Sequence, residues 1–106
     1  MTRPALLDEA VVTSWLVTHG EWRRENNHLV RTVRTKNYPS SVGLLSALVE
    51  TAERLDHHPI VTLGYCELRF ELWTHDRGGL TSLDLEYATE LDVIALCDFA
   101  GDLKTN

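Results

Sequence analysis

The 106-residue sequence has few cysteines and no long apolar run, and both absences exclude classes of protein. Cys66 and Cys97 form neither a CxxC pair nor the dense framework of a disulfide-stapled domain, so we expect two free thiols in a reducing compartment. No stretch approaches the roughly 20 apolar residues of a membrane span. The acidic Asp8 and Glu9 are untypical of a signal peptide. We therefore expect a soluble, cytoplasmic protein that forms a single domain over residues 1–106.

Positive charge is also scarce. The sequence has ten Lys and Arg residues against a total of 16 Asp and Glu residues, so the formal net charge is −6. A nucleic-acid-binding surface needs a basic patch, so nucleic acid is not an expected partner. The basic residues concentrate in one segment: Arg23, Arg24, Arg31, Arg34 and Lys36. We interpret this segment as the solvent-facing side of a sheet or as a site for an anion.

Common catalytic and metal-binding signatures are missing. There is no G-x-S-x-G motif, and four serines are expected to be helix caps or helix residues: Ser40, Ser41, Ser46 and Ser82. Three histidines and a carboxylate could hold zinc, but HExxH and CxxC patterns are absent. Adjacent histidines also point in different directions and rarely bind one ion together. No metal site is therefore predicted, and a metal-dependent enzyme is kept only as a third, weaker hypothesis.

The sequence does contain a regular succession of helix and strand patterns. The predicted elements are a helix over 5–18, strands over 20–25 and 28–36, a helix from 38 to about 56, strands over 60–65 and 67–74, and a helix after Thr81. Gly20 is expected to end the first helix and Pro59 the second. Asn26-Asn27 favours a tight hairpin turn. This order predicts an α+β fold with a four-stranded antiparallel sheet and three helices on one face.

Histidines and carboxylates concentrate near the ends of these predicted elements. His57 and His58 follow the second helix, His75 follows the last strand, Asp84 lies in the first turn of the last helix, and Glu53 precedes the histidine pair by one helical turn. Imidazole exchanges protons near neutral pH, because its unperturbed pKa is about 6.5. If these side chains converge, they provide the groups of general acid–base catalysis.

Each residue also has a structural explanation that the sequence leaves open. His57 could complement the negative end of a helix, and Asp84 could form a capping box with Thr81. Glu53 could be a solvated helix residue, and Gly78-Gly79 only a flexible turn. Two other histidines near turns are expected at the surface: His19 and His28.

The spacing of the cluster resembles the signature of the pterin-4a-carbinolamine dehydratases. The pattern consists of Glu53-x3-His57-His58-Pro59, then Tyr65, and then the run Thr74-His75-Asp76-x-Gly78-Gly79-Leu80-Thr81-x-x-Asp84. Trp22, Ala88 and Leu91-Asp92 fit the same signature. The resemblance covers about residues 15–95, and the combined pattern is far more specific than any motif within it.

This resemblance implies a lyase (a hydro-lyase) that dehydrates 4a-hydroxytetrahydropterin, such as the tetrahydrobiopterin carbinolamine, to quinonoid dihydropterin. The catalytic set carried over is His57, His58 and His75, in which His57 and His75 form the acid–base pair and His58 chiefly holds the pterin. Asp84 would support the site together with Glu53, and Asp56 and Thr74 are expected to contact the pterin. No cofactor or metal is implied.

The sequence departs from the family at several positions beside the histidines, including Ile60-Val61 and Cys66. These departures motivate an alternative, because relatives of the dehydratases are known that act as assembly factors, including for Rubisco, or as dimerisation cofactors of transcription factors. A protein partner is therefore a second hypothesis. A homodimer or homotetramer is also expected, since pairing with a second subunit would cover an edge strand of so small a sheet.

Overall fold

A four-stranded antiparallel sheet, covered by helices on one face, forms the scaffold in the computed structural model, which describes residues 3–104. The elements are α1 (Glu9–Thr18), β1 (Arg23–Glu25), β2 (His28–Arg34), α2 (Tyr38–Ala47), α3 (Val49–Leu55), β3 (Ile60–Leu63), β4 (Glu67–Leu72) and α4 (Ser82–Cys97). Short 3₁₀ turns follow at His75–Arg77 and Ala100–Asp102. The strand order is β1-β2-β4-β3. The predicted α+β fold is confirmed, with α2 and α3 together in the place of the second helix.

The central strands β2 and β4 carry the core on alternate residues. Leu29 pairs with Leu72 and Val33 with Leu68, and all four side chains are buried beneath the helices. Because side chains alternate between the faces of a strand, the residues between them form the opposite, uncovered face. Within the described range 3–104, no helix is long and apolar enough to span a membrane.

The turn between β1 and β2 has the predicted tight form. Asn26 and Asn27 have φ angles of 51° and 61°, the left-handed pair that a two-residue type I′ hairpin requires. Asparagine adopts this region more readily than most residues. The sequence therefore determines the register of β1 against β2 locally.

The first helix is shorter than predicted, since it begins at Glu9 and not at residue 5. The amide of Leu7 donates to the carbonyl of Leu80 at 2.9 Å, which holds the preceding segment outside the helix. The helix ends at Thr18, as predicted, and its C-cap is His19 in place of Gly20. The strands are also shorter than predicted: β1 begins three residues later, and β2, β3 and β4 each end two residues earlier.

The second predicted helix is interrupted at Leu48. This residue has φ −87° and ψ −4°, and its amide approaches the carbonyl oxygens of Leu44, Leu45 and Ser46. Leu44 of α2 and Leu48 at the bend are both buried, and Ala52 of α3 is 7% exposed. The bend therefore lets both halves present an apolar stripe to the same core.

Arg31 is not on the solvent-facing side of the sheet, where the basic segment was expected. It pairs with Phe70 on the helix-covered face and is only 7% exposed. Its guanidinium forms a salt bridge with Asp92 of α4, and the indole N–H of Trp22 donates to the same carboxylate at 2.8 Å. A buried charge requires such a partner, so Arg31 joins the sheet to α4.

Candidate functional site

Most of the predicted site residues line one cavity of about 210 Å³ where α3 and β4 end. Its lining consists of Arg3, Asp56, His57, His58, Thr74, His75 and Asp76. Two predicted residues, Asp84 and Glu53, lie behind this lining and contact histidines within it. The sequence did not single out Arg3, and it marked Asp76 only as part of the run from Thr74 to Asp84, without a role.

The end of α3 directs the two adjacent histidines differently. Asp56 has a left-handed φ of 48°, and the amide of His57 donates back to the carbonyl of Ala52 at 3.0 Å. This reversal turns His57 inward, where it is 6% exposed. His58 points outward, with 55% of its side chain exposed.

Asp84 holds His57 and caps α4 with the same carboxylate. Its Oδ1 atom lies 2.5 Å from His57 Nε2, while its Oδ2 atom accepts from the Thr81 amide and the Thr74 hydroxyl, each at 2.9 Å. Asp84 is fully buried. Because a carboxylate oxygen accepts hydrogen bonds, Nε2 of His57 is the donor, and Nδ1 is the ring nitrogen left free of Asp84. One carboxylate therefore both caps α4 and contacts His57, so the two interpretations of Asp84 are compatible.

His58 has a different support. Its Nε2 atom lies 2.6 Å from Glu53 Oε2, and the two side chains are 55% and 70% exposed. Exposed ion pairs of this kind contribute little to stability. Glu53 therefore restrains His58 at the cavity rim without burying it, unlike the Asp84–His57 pair.

His75 lies in the 3₁₀ turn that follows β4. The turn is closed by a hydrogen bond from the Thr74 amide to the Gly79 carbonyl at 2.8 Å, and Gly78 ends it with a left-handed φ of 68°. A Cβ at Gly79 would lie 2.6 Å from the side-chain amide nitrogen of Asn27 and 3.0 Å from a methyl carbon of Leu6, so a larger residue here would displace both side chains. The Gly78-Gly79 pair is therefore a closed, packed turn.

His75 also packs at a tilt against Trp73, a contact that the sequence did not reveal. The ring centroids are 4.2 Å apart, with 36° between the ring planes. His28 stacks on Trp73 at 3.9 Å and its Nδ1 atom lies 2.6 Å from Glu71. This hydrogen bond from His28 holds the pKa of the Glu71 carboxyl below its usual range. The register of β2 against β4 brings these groups together, and no local sequence pattern specifies that register.

The two histidines expected at the surface are both partly buried. His28 is held by Trp73 and Glu71, and His19 stacks on Trp15 with ring centroids 4.0 Å apart. The His19 ring also lies 2.7 Å from the Trp15 carbonyl oxygen through Nδ1. Each imidazole is therefore only partly exposed, because a neighbouring indole covers one of its faces.

Arg3 crosses the cavity mouth and approaches two carboxylates. Its guanidinium lies 3.5 Å from Asp56 and 3.9 Å from Asp76, both well exposed. The Arg77 side chain donates to the carbonyl oxygens of Arg3 and Pro4 at 2.7 and 3.0 Å. No sequence motif marks this arrangement, because Arg77 is separated from Pro4 by 73 positions and from Arg3 by 74 positions in the sequence.

Across residues 3–104, no group of three His, Cys, Asp or Glu side chains is arranged to hold a metal ion. The chemistry that the cavity residues themselves can perform is proton transfer. His57, which follows α3, is oriented by a buried carboxylate. His75, which follows β4, is exposed and lines the same cavity. Imidazoles in such positions can accept or deliver a proton near neutral pH.

Comparison with known proteins gives a consistent set of relatives. A protein of Chloroflexus aurantiacus is 38% identical over 88 residues, which are 83% of this chain and 95% of the relative. A protein of Nocardia farcinica is 35% identical over 95 residues, or 90% and 99% of the two chains. Both names assign the relatives provisionally to pterin-4-alpha-carbinolamine dehydratase.

Solved structures share the fold. A crystal structure described as a transcriptional coactivator/pterin dehydratase from Brucella melitensis has a TM-score of 0.81 and 27% identity, and the match covers 85% of this chain and 98% of that one. A pterin dehydratase-like protein described as a RuBisCO assembly factor in the alpha-carboxysome, at 19% identity and TM-score 0.58, shows the fold alone. The family model for pterin 4 alpha carbinolamine dehydratase matches residues 5–94. With this match and these relatives, the chain belongs to the pterin 4 alpha carbinolamine dehydratase family.

Proposed function

We propose that this protein dehydrates 4a-hydroxytetrahydropterin to quinonoid dihydropterin by histidine acid–base catalysis. The observation that carries the proposal is the convergence of His57, with its buried Asp84 partner, and His75 on one cavity in a chain of this family. The cavity of about 210 Å³ is open to solvent on the side of the exposed His75 and Asp76.

The reaction requires two proton transfers. The C4a–O bond breaks, the leaving hydroxyl takes a proton and departs as water, and the adjoining ring nitrogen loses a proton as a C=N bond forms. Asp84 engages Nε2 of His57, so the lone pair on Nδ1 is available to accept the nitrogen proton. His75 is exposed and free to deliver a proton to the departing hydroxyl. We therefore assign His57 as the base and His75 as the acid.

The other lining residues have supporting roles in this proposal. His58, restrained by Glu53, holds the pterin at the rim. Asp56 offers a carboxylate that can accept hydrogen bonds from the amino-substituted edge of a pterin. The Thr74 hydroxyl is bonded to Asp84 and Thr81, so we assign it to the support of Asp84 and no longer chiefly to pterin contact.

The departures from the family pattern lie outside this cavity. Ile60 is 50% exposed on the edge strand β3, Val61 packs against the core, and Cys66 lies in the turn before β4. None of the three contributes to the cavity lining. We therefore favour the catalytic function over a non-catalytic role with a protein partner. The exposed apolar residues of β3, Ile60 and Leu63, are compatible with the predicted self-association.

A turnover assay tests the proposal. Purified protein is mixed with freshly generated 4a-hydroxytetrahydropterin, and the formation of quinonoid dihydropterin is followed by absorbance against buffer. We expect clear acceleration without added metal or cofactor. Absence of acceleration, together with a stable protein partner on purification from its own cells, would instead support the non-catalytic alternative.

A further inference from the structure

We propose that Trp73 is a positioning residue for His75, and that His28 and Glu71 hold Trp73 in place from the uncovered face of the sheet. This inference rests on the proposed function, since it concerns the orientation of the residue assigned as the acid. Its physical content, a stacked array of three rings, can be tested without any turnover.

The array is a sandwich with Trp73 at its centre. Its ring centroid is 3.9 Å from that of His28 and 4.2 Å from that of His75. Two imidazoles centred this close to one indole cannot share a face without overlapping each other. They therefore cover opposite faces of Trp73, so a displacement of the indole would disturb both contacts.

The far side of the sandwich is anchored to the sheet. Leu29 pairs with Leu72, which places His28 of β2 beside Trp73 at the end of β4. The His28 ring lies nearly parallel to the indole, with 7° between their planes, and its Nδ1 atom lies 2.6 Å from Glu71 of β4. A hydrogen bond from imidazole to a carboxylate restrains the ring rotation. Trp73 is therefore backed by a ring that is itself held.

His75 needs such support more than His57 does. It is exposed and lies in a short 3₁₀ turn, whereas His57 is buried and hydrogen-bonded to Asp84. Among residues 3–104, the His75 ring has a stacking partner in Trp73 but no hydrogen-bond partner. Trp73 does not line the cavity, so it acts through His75 and not on the substrate. Proton transfer depends on the position of the donor, and a misplacement of ~1 Å can cost about 100-fold in rate.

The experiment compares Trp73→Leu with the aromatic variant Trp73→Phe and the matched control Trp15→Leu. Trp15 also contacts a histidine, in a nearly parallel stack with His19, and contributes nothing to the histidine cavity, so its loss controls for general destabilisation. The first readout is the NMR chemical shift of the His75 ring protons, assigned with His75→Gln. An indole over the imidazole face shifts these signals by its ring current. The second readout is kcat and KM for the carbinolamine.

We expect Trp73→Leu to move the His75 signals toward those of an unstacked imidazole and to lower kcat about 10- to 100-fold with little change in KM. Trp73→Phe should retain much of the signal shift and of kcat, and Trp15→Leu should leave both unchanged. Unmoved His75 signals in Trp73→Leu would overturn the proposal, even if the wild-type protein lacks turnover. A rise in KM at unchanged kcat would also overturn it, because Trp73 would then act in binding.

Discussion

The Nε2 atom of His57 lies 2.5 Å from the Oδ1 atom of Asp84, across 27 positions of sequence. This contact joins the end of α3 to the start of α4 in the interior of the protein. The carboxylate is fully buried and accepts two further hydrogen bonds, so it cannot move without breaking the N-terminal cap of α4. The orientation of His57 is therefore coupled to the fold itself.

Replacement of Asp84 should affect both stability and catalysis. In Asp84→Ala, the Thr81 amide, the Thr74 hydroxyl and the His57 ring lose their common acceptor, and we expect the free energy of unfolding to fall by about 2–4 kcal/mol. Asp84→Asn should cost less, since an amide oxygen can still accept one bond. We expect its kcat to fall at least tenfold, because an amide cannot orient His57 as a carboxylate does.

The control for this prediction is Thr81→Ala, measured by urea unfolding and by turnover. It removes the side chain that caps α4 and should cost about 1 kcal/mol, while Asp84 stays beside His57. Its kcat should remain near the wild-type value. If Asp84→Asn also kept the wild-type kcat, the proposed orienting role of Asp84 would be wrong.

His58→Ala should weaken substrate binding more than it slows the chemical step. His58 is an exposed residue at the rim and is restrained by Glu53, so its loss should raise KM about tenfold, equivalent to one hydrogen bond, with kcat nearly unchanged. Glu53→Gln is the milder companion variant, because an exposed pair contributes little. Steady-state kinetics of the two variants make the comparison. A collapse of kcat in His58→Ala would instead identify His58 as a third proton-transfer residue.

Acid should destabilise the protein partly through Glu71. Its hydrogen bond from His28 holds the pKa of the Glu71 carboxyl in the folded protein below its ordinary value. A carboxyl group with a depressed folded pKa stabilises the protein above its unfolded pKa, and this contribution is lost as the pH falls through the folded value. The stability difference between wild type and Glu71→Gln should therefore be largest near neutral pH and shrink below about pH 4.5.

Urea unfolding at a series of pH values measures this difference, since both proteins share all other titrating groups. Glu67→Gln is a suitable control on the same strand and the same face of the sheet, because the one ion pair of Glu67 among residues 3–104 is with the exposed Arg34. Its stability difference should be small throughout. A Glu71 difference that is constant from neutral to acidic pH would contradict the prediction.

Local patterns in the sequence predicted most of the fold. Three signals that act within a few residues end or begin an element as predicted. They are the two asparagines with positive φ, the proline after His58 and the Thr81–Asp84 capping box. The bend at Leu48 was not predictable in this way. The bend allows Leu44 and Leu48 to pack against a core that other elements complete.

The sequence also indicated a candidate site, but not the contacts within it. The spacing of His57, His75 and Asp84 indicated a site, but their hydrogen bonds depend on how α3, β4 and α4 meet. Arg31 illustrates the limit most clearly. An arginine within a basic segment suggests a solvent-facing residue, and only the register of β2 places it under α4 beside Asp92.

The most direct test of the account is the initial rate of quinonoid dihydropterin formation by His57→Ala, measured beside the wild type and His19→Ala. His19 is a partly buried, indole-stacked histidine that does not line the cavity, so its variant controls for the loss of an imidazole. We predict that His57→Ala is at least about 100-fold slower than the wild type, the usual contribution of a positioned acid or base. His19→Ala should retain the wild-type rate. Equal rates for wild type and His57→Ala, with both proteins folded, would contradict the account.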